Sequence, residues 1–321
     1  MTVTLAGGTL DGVAKGSMEV WTDTVFQVRA ADRASEIRTV NVKLRGSSPA
    51  VFAVERGTAE ADLKVSANIV NYSGAKGSVA KTGEGIMVLS GKNTYSGGTS
   101  VNGGTLAAAS NQALGTGMAT VNSGAHLALG GLGTDISSVA LGNDILVKNG
   151  GILSGSATLS GNTTLQSGSV FELTLSMGGS AGNELAYNSL MLQSGVFQID
   201  AGAKLKLAAL SLDYSTDFWG TSHILNFIEG GANATLTGNF TLDASSAGDY
   251  AAYGQWSLQK NEDSKEVSMV WTPNAAPEAS SAMASAFTAT APAPVPEPSS
   301  CMLLMAALGA VFLRRSVPGN E

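Results

Sequence analysis

The chain is a long succession of very short strand-like stretches, each followed by a turn of glycine, asparagine or serine. Alternating apolar and polar residues mark the stretches 170–175 and 204–207, and further short stretches rich in apolar residues lie at 86–89, 105–107 and 125–129. Alternation with period two, bounded by Gly, Asn and Ser, is typical of β-strands. Before residue 275 no stretch has the period of a helix. The pattern therefore predicts an all-β fold.

The shortness of the strands favours one all-β architecture over the others. Strands of this length bury little area in a two-sheet sandwich, which is the alternative arrangement. They suit a chain that coils on itself, where each coil is stabilised by its neighbours. With roughly 20–25 residues per coil, which is typical of solenoid repeats, residues 1–272 would form about a dozen coils. We therefore expect a parallel β-helix.

Composition excludes several other classes of protein. The 321 residues include 40 Gly, one Cys and 13% charged side chains, with a net charge of −7. The chain is 44% hydrophobic, so it has enough apolar surface to fold. A single cysteine rules out a disulfide scaffold. The net negative charge of the chain argues against nucleic acid as a partner.

One segment carries a specific resemblance. Residues 81–106 read KTGEGIMVLSGKNTYSGGTSVNGGTL, and residues 111–127 read NQALGTGMATVNSGAHL. The first string resembles the autotransporter-associated β-strand repeat, and the second fits the coil that usually follows it. The resemblance implies a right-handed parallel β-helix in an exported, non-enzymatic bacterial surface protein. We expect Asn93 to bond along the stack and Tyr95 to cover a corner. Four apolar side chains are expected to face the interior: Ile86, Val88, Val101 and Leu106.

The last folded part has a different character. Residues 255–258 and 267–271 flank a polar turn, which is a hairpin signal. Solenoids need an atypical terminal unit to hide the last coil, and we interpret residues 210–272 as terminal coils and a β cap. Trp219, Trp256 and Trp271 would lie in this cap, with a tryptophan-lined sugar site as the alternative reading. The predicted domains are thus coils 1–209 with the repeat motif at 81–129, cap 210–272, a flexible Ala/Pro/Ser/Thr linker 273–294 and a terminal segment 295–321.

The terminal segment has three ordered parts. They are the motif Val295, Pro296, Glu297, Pro298 and Ser299, then the apolar run 301–313, then Arg314 and Arg315. This order resembles the PEP-CTERM sorting signal of Gram-negative bacteria. The resemblance implies export, a transient stay in the inner membrane through a short hydrophobic helix at 301–313, and processing by an exosortase-type enzyme. The arginine pair would act as the stop-transfer element, in line with the bias of basic residues toward the cytoplasm.

The beginning of the chain lacks a signal-peptide pattern. Residues 1–8, MTVTLAGG, contain neither a basic region nor an apolar core. We therefore expect this sequence to be the C-terminal part of a longer exported protein, or one whose start has been assigned wrongly. Its expected location is the cell surface or extracellular matrix.

Signals for catalysis are weak. Residues 178–182 satisfy G-x-S-x-G around Ser180, but no helical pattern follows, and His126 and His223 have no supporting context. A β-helical polysaccharide lyase would need a base such as Lys148. A hydrolase would need paired carboxylates, with Asp200, Asp213 and Asp217 as candidates. We predict no enzyme activity, no cofactor and no metal site, and leave extracellular polysaccharide open as a partner of a stalk or adhesin.

Overall fold

The computed structural model describes residues 1–12, 16–21, 23–39, 41–132, 138–178, 184–210 and 212–275. The chain divides into two units, Met1–Asn274 and Ala275–Glu321, and the fold described below is that of the first unit. The predicted linker and hydrophobic helix lie almost wholly outside the described residues. In the part that is described, no helix is long and apolar enough to cross a bilayer.

Short β-strands dominate the described residues. In chain order they are β1 Thr2–Leu5, β2 Thr9–Leu10, β3 Ser17–Val20, β4 Val25–Val28, β5 Ser35–Ile37, β6 Asn41–Leu44, β7 Ala50–Val54, β8 Leu63–Val65, β9 Asn68–Asn71, β10 Val79–Thr82, β11 Ile86–Leu89, β12 Thr99–Val101, β13 Gly104–Ala108, β14 Ala119–Val121, β15 Ala125–Leu129, β16 Val139–Leu141, β17 Ile145–Val147, β18 Ile152–Gly155, β19 Ala157–Leu159, β20 Thr163–Leu165, β21 Val170–Gly178, β22 Glu184–Tyr187, β23 Leu190–Ile199, β24 Lys204–Leu210, β25 His223–Thr237, β26 Thr241–Asp243, β27 Gly254–Asn261 and β28 Glu266–Pro273. Two short 3₁₀ helices occupy Asp217–Gly220 and Tyr250–Ala252.

These strands form three sheets that wrap around one interior. Sheet A has 14 strands, and its main path begins β1-β4-β7-β10-β12-β14. Sheet B has 11 strands and begins β2-β5-β8-β11-β13-β15, and sheet C consists of β3, β6 and β9. Within each sheet, strands from successive coils pair in parallel, as β4 does with β7 and β5 with β8. The architecture is the predicted parallel β-helix, and its parallel pairings exclude the antiparallel sandwich.

Alternate side chains of each strand fill the interior. Strand β7 follows the pattern buried, half-buried, buried, half-buried, buried, with Phe52 among its fully buried residues. Because Phe26 and Phe52 occupy paired positions on β4 and β7, their rings stack with centroids 4.6 Å apart. Each buried apolar side chain of this size contributes about 2 kcal/mol of transfer free energy. Stability therefore accumulates coil by coil.

The predicted inward positions of the repeat are half right. Val101 and Leu106 are fully buried, as expected. On β11, however, Met87 and Leu89 point inward, and Ile86 and Val88 lie on the half-buried outer face. Four consecutive apolar residues fit either register, so the sequence does not settle which pair faces the core. Pairing of Met87 with Leu63 and with Leu106 on the neighbouring coils settles it.

The coils end in an antiparallel unit. The predicted hairpin is present, with β27 pairing antiparallel to β28 and β28 pairing antiparallel to β25. Three tryptophans pack beneath it, with Trp271 only 5.3 Å from Trp219 and 5.2 Å from Trp256 between ring centroids. The Trp271 indole nitrogen donates to the Trp219 carbonyl at 2.9 Å. Because all three side chains are buried, their rings offer no face to a sugar, and the tryptophan-lined sugar site is wrong.

Candidate functional site

A cleft of about 340 Å³ lies on the outer face of sheet B. Its base consists of side chains from β13, β15, β18, β21 and β24, and Ala186 of β22 adds to its lining. The apolar lining residues include Ile86, Ala128, Leu129, Leu132 and Leu210. The polar lining residues include Thr105, His126, Ser154, Glu172, Thr174 and Ser176. Its volume and mixed lining are those of a small-ligand site.

A histidine and a serine meet inside the cleft. In the parallel register His126 pairs with Ile152, so the side chain of Ser154, two residues further along β18, lies on the same face and diagonal to it. The His126 Nε2 and Ser154 Oγ atoms are 2.7 Å apart. Burial lowers the pKa of His126, while the Glu172 carboxylate raises this pKa and the Lys206 ammonium lowers it. The imidazole is therefore neutral at pH 7 and shares one hydrogen bond with the serine hydroxyl.

An ion pair continues the same line of side chains. Glu172 is aligned with Ser154 on one side and with Lys206 on the other. Lys206 Nζ donates to Glu172 Oε2 at 2.9 Å. A serine nucleophile activated by histidine requires a third group that orients the imidazole. Here the carboxylate that raises the pKa of His126 is instead hydrogen-bonded to the lysine.

The repeat segment contains a buried lysine. Lys81 occupies an interior position on β10, between Phe52 of the preceding coil and Val101 of the following one. Its side chain is fully buried. Its Nζ donates to the carbonyl oxygens of Thr82, Gly83 and Gly103 at 3.2, 2.7 and 2.8 Å. Burial lowers the pKa of Lys81 to about 8, against smaller opposite effects of Glu84 and Asp62.

Asn93 and Tyr95, the two polar residues that the sequence singled out in the repeat, are both buried. Asn93 is buried, and its Oδ1 accepts from the Ile69 amide at 2.7 Å while its Nδ2 donates to the Ala113 carbonyl at 2.6 Å. It thus joins the coils before and after its own. Tyr95 is also fully buried, with its hydroxyl 2.6 Å from Thr99 Oγ1. Burial raises the pKa of Tyr95, so the phenol stays neutral. These residues of the repeat are structural.

Several predicted site residues lie outside the described part of the chain. They are Ser180 and the sorting residues Val295, Pro296, Glu297, Pro298, Ser299, Arg314 and Arg315. Of the candidate carboxylates, Asp213 and Asp217 are exposed, and Asp200 is half-buried with Gln198 Nε2 at 2.7 Å. Hydrogen bonds from Ser215 lower the pKa of Asp213 and fix it in a turn. Lys148 is an exposed turn residue.

The two histidines have different environments. His223 stacks on Phe218 at 4.2 Å and its Nε2 lies 2.8 Å from the Phe218 carbonyl oxygen, which is a structural contact within the cap. His126, by contrast, has a serine partner and lies in a cleft, a setting that the sequence did not reveal. Among the described residues, no group of His, Cys, Asp and Glu is arranged to hold a metal ion.

Residues 79–108, which run from the start of β10 to the end of β13, match the family described as Passenger-associated-transport-repeat. The chain contains this repeat. The match includes Lys81, Asn93 and Tyr95, so the passenger-associated-transport-repeat coincides with the buried contacts that join neighbouring coils. Residues 294–316 match the PEP-CTERM protein-sorting motif.

A curated relative agrees with these matches. The Adhesin BmaC autotransporter of Brucella suis biovar 1 (strain 1330) is 31% identical over 169 residues, which cover 51% of this chain and 4% of the relative. The chain thus spans a small fraction of that adhesin's length. Repeat, sorting motif and relative together mark the chain as an exported cell-surface protein of a Gram-negative bacterium.

The cleft was missed from the sequence because its polar residues have no regular spacing. His126 and Ser154 are 28 positions apart, whereas Glu172 and Lys206 are 34 apart. A pattern could be found only by first aligning the coils, each of which has its own length. Lys81 was overlooked for another reason, because a lysine beside Thr82 and Gly83 looks like a solvated turn residue.

Proposed function

We propose that the protein is a non-catalytic passenger-type surface protein, a β-helical stalk or adhesin, sorted through a PEP-CTERM route. One observation carries the proposal. The same chain combines a transport-type repeat built into a parallel β-helix with a sorting-motif match at residues 294–316. The relative is named an adhesin, which favours a role in surface attachment for the solenoid.

The proposed organisation assigns one task to each part. Coils 1–209 and the cap 210–272 form the exposed body, and the linker 273–294 separates it from the membrane. The apolar run 301–313 would enter the inner membrane transiently. Its thirteen residues are fewer than the roughly 20 that span a bilayer comfortably, so the anchor would be weak. Arg314 and Arg315 would stay in the cytoplasm, because moving a charge through the bilayer centre costs about 3 kcal/mol or more.

Processing by an exosortase-type enzyme would then release the body near Pro296, Glu297 and Pro298. We expect mass spectrometry of protein extracted from the cell surface to find a mature form that lacks residues 303–315. We also expect Arg314→Glu combined with Arg315→Glu to reduce this processing, because the stop-transfer charge is reversed. The host for this experiment is a Gram-negative bacterium that possesses an exosortase.

The matched control is the double variant Arg314→Lys and Arg315→Lys, which keeps both positive charges and should be processed normally. A mature surface form that retains residues 303–315 would contradict release and indicate a permanent anchor. Normal processing of the double glutamate variant would contradict the stop-transfer role of the arginine pair.

The absence of catalysis is also part of the proposal. The alternative is a β-helical protein that binds or degrades polysaccharide. Asp213, exposed in a turn, and Asp217, exposed at the start of a 3₁₀ helix, are placed in a way that favours a structural role for both carboxylates. We expect neither Ser154 nor Ser180 to react with a fluorophosphonate probe, as read by mass spectrometry of the labelled chain. Labelling of either serine would overturn the non-catalytic assignment.

A further inference from the structure

Neither the proposed sorting route nor the repeat explains the cleft on sheet B. Outward positions on a solenoid are usually solvated, yet here Ala128 is 7% exposed and Ser154 is 9% exposed. The cleft brings a histidine, a carboxylate and several hydroxyls to one apolar-lined hollow. Such convergence of polar groups in an apolar hollow is the usual sign of a ligand site.

The backbone of the cleft is not available to a ligand. Strand β15 pairs with β13 and β18, and β21 pairs with β18 and β24. A peptide that bound by adding a strand would need free main-chain donors and acceptors at a sheet edge. Recognition on the base of this cleft must therefore come from side chains.

The side chains offer hydroxyls and a carboxylate. Thr105, Ser154, Thr174 and Ser176 each have a hydroxyl that both donates and accepts hydrogen bonds. The Glu172 carboxylate uses Oε2 for Lys206 and can accept a ligand hydroxyl at its other oxygen. Ile86, Leu132 and Leu210 provide apolar surface beside this polar line. Hydroxyl groups on a ring with apolar C–H faces match both kinds of surface.

The charges of the cleft select against anions. None of the described residues that line it is a lysine or an arginine. Lys206, beside it, is engaged by Glu172, and the buried imidazole of His126 is neutral at pH 7. An acidic sugar would place its carboxylate near that of Glu172 without a free cation to compensate, which is unfavourable in a partly buried site.

We propose that this cleft binds a neutral saccharide unit, with Glu172 accepting hydrogen bonds from its hydroxyls and Ser154 accepting from or donating to them. The inference rests on the proposed surface location only for its biological setting. Its test uses the purified full chain, so a failure of sorting and a failure of binding are separate results.

The binding experiment screens the full chain against immobilised neutral oligosaccharides of glucose, galactose, mannose and N-acetylglucosamine. Uronic-acid oligosaccharides and a library of short peptides serve as the two rival sets. Isothermal titration calorimetry then measures the affinity of the best neutral probe. We expect at least one neutral set to bind, and the uronic-acid and peptide sets to bind at least about tenfold more weakly.

Two variants locate the binding in the cleft. Glu172→Gln keeps the shape of the side chain and removes its charge, and Ala208→Trp fills the hollow from β24. Each should weaken binding of the neutral probe by about tenfold or more, the size of a lost charge-assisted hydrogen bond or a blocked site. The matched control is Glu36→Gln, because Glu36 is also a carboxylate on sheet B, aligned with Lys64 but outside the cleft. It should bind like the parent chain.

Circular dichroism checks that each variant keeps its β-structure, and a variant that fails to fold is replaced by Thr174→Val, which removes one hydroxyl without adding bulk. Failure of every neutral probe to bind would overturn the proposal. The proposal would also be overturned if Glu172→Gln and Ala208→Trp both bound the neutral probe as tightly as the parent chain does, since the ligand would then lie elsewhere. A preference for uronic-acid or peptide probes would replace the neutral saccharide by that class of ligand.

Discussion

Single residues of the repeat stabilise contacts between coils as well as within them. Lys81 is the clearest case, because a charged side chain occupies a column otherwise built from Phe26, Phe52 and Val101. The ammonium has three N–H groups, and the structure places one turn carbonyl oxygen within reach of each. A lysine in this column therefore supplies donors to two turns, and one of its acceptors, the Gly103 carbonyl oxygen, is buried.

Replacing this lysine should be costly. We expect Lys81→Met to lower the free energy of unfolding by about 2 kcal/mol at pH 7, because the buried Gly103 carbonyl loses its donor. Urea unfolding measures the change. Lys64→Met, at an exposed position on β8, should cost less than about 0.5 kcal/mol. Equal costs for the two variants would show that the buried ammonium contributes nothing to the fold.

The same lysine predicts a dependence on pH. Its folded-state pKa of about 8 lies below its ordinary value of 10.5. Between these values the unfolded chain binds more protons than the folded chain, so the contribution of Lys81 to stability rises with pH. The stability difference between the parent chain and Lys81→Met should therefore grow from pH 8 to 10. A difference that stays constant or shrinks over this window would contradict the lowered pKa.

At the scale of elements, the sequence predicted the kind of structure better than its register. Short strands, glycine turns and the final hairpin could all be recognised, since each has a local pattern. The orientation of Ile86 and Val88 could not, because it depends on which residues of the neighbouring coils they meet. Coil length varies as well. Residues Ala80, Ser100 and Thr120 align in neighbouring strands at steps of 20 positions. Thr164, by contrast, aligns with Gln198, which is 34 positions further along the chain.

Close approach of neighbouring coils makes some turns intolerant of any side chain. Gly155 ends β18 with φ +92°, and a Cβ atom there would lie 2.0 Å from the Leu129 carbonyl oxygen on β15. Gly74 also has a positive φ of +75°, but a Cβ atom there would meet nothing within 4 Å. Comparing substitutions at these two glycines therefore distinguishes the cost of backbone strain from the cost of a clash between coils.

We expect Gly74→Ala to cost about 1 kcal/mol, the strain of a left-handed alanine. Gly155→Ala should cost about 3 kcal/mol or more, because β18 must also move away from β15. Thermal unfolding of both variants tests this difference. Equal losses of stability in the two variants would mean that the neighbouring coil shifts at Leu129 at little cost.

For the whole molecule, the decisive feature is how the stack of parallel strands ends. Strand β25 pairs in parallel with β23 on one side and antiparallel with β28 on the other. The outermost strand β27 then exposes Gln255, Ser257 and Gln259, which do not favour further pairing. The direction of pairing thus changes at the point where the solenoid must stop growing. Sequence analysis could predict the hairpin here, but not that it pairs with β25.

Removing this hairpin should expose the end of the solenoid and let it associate with other copies of the chain. A chain of residues 1–253 would leave the β28-facing edge of β25 unpaired and uncover Trp219, which is 2% exposed in the structure. Unpaired edges and exposed aromatic surface both promote pairing with another copy. We expect size-exclusion chromatography with light scattering to show larger assemblies for residues 1–253. A chain of residues 1–275 keeps the hairpin and is the control, and it should stay in the same oligomeric state as the parent chain. The same oligomeric state for both truncated chains would mean that the hairpin is dispensable for ending the stack, and that termination resides in β25 itself.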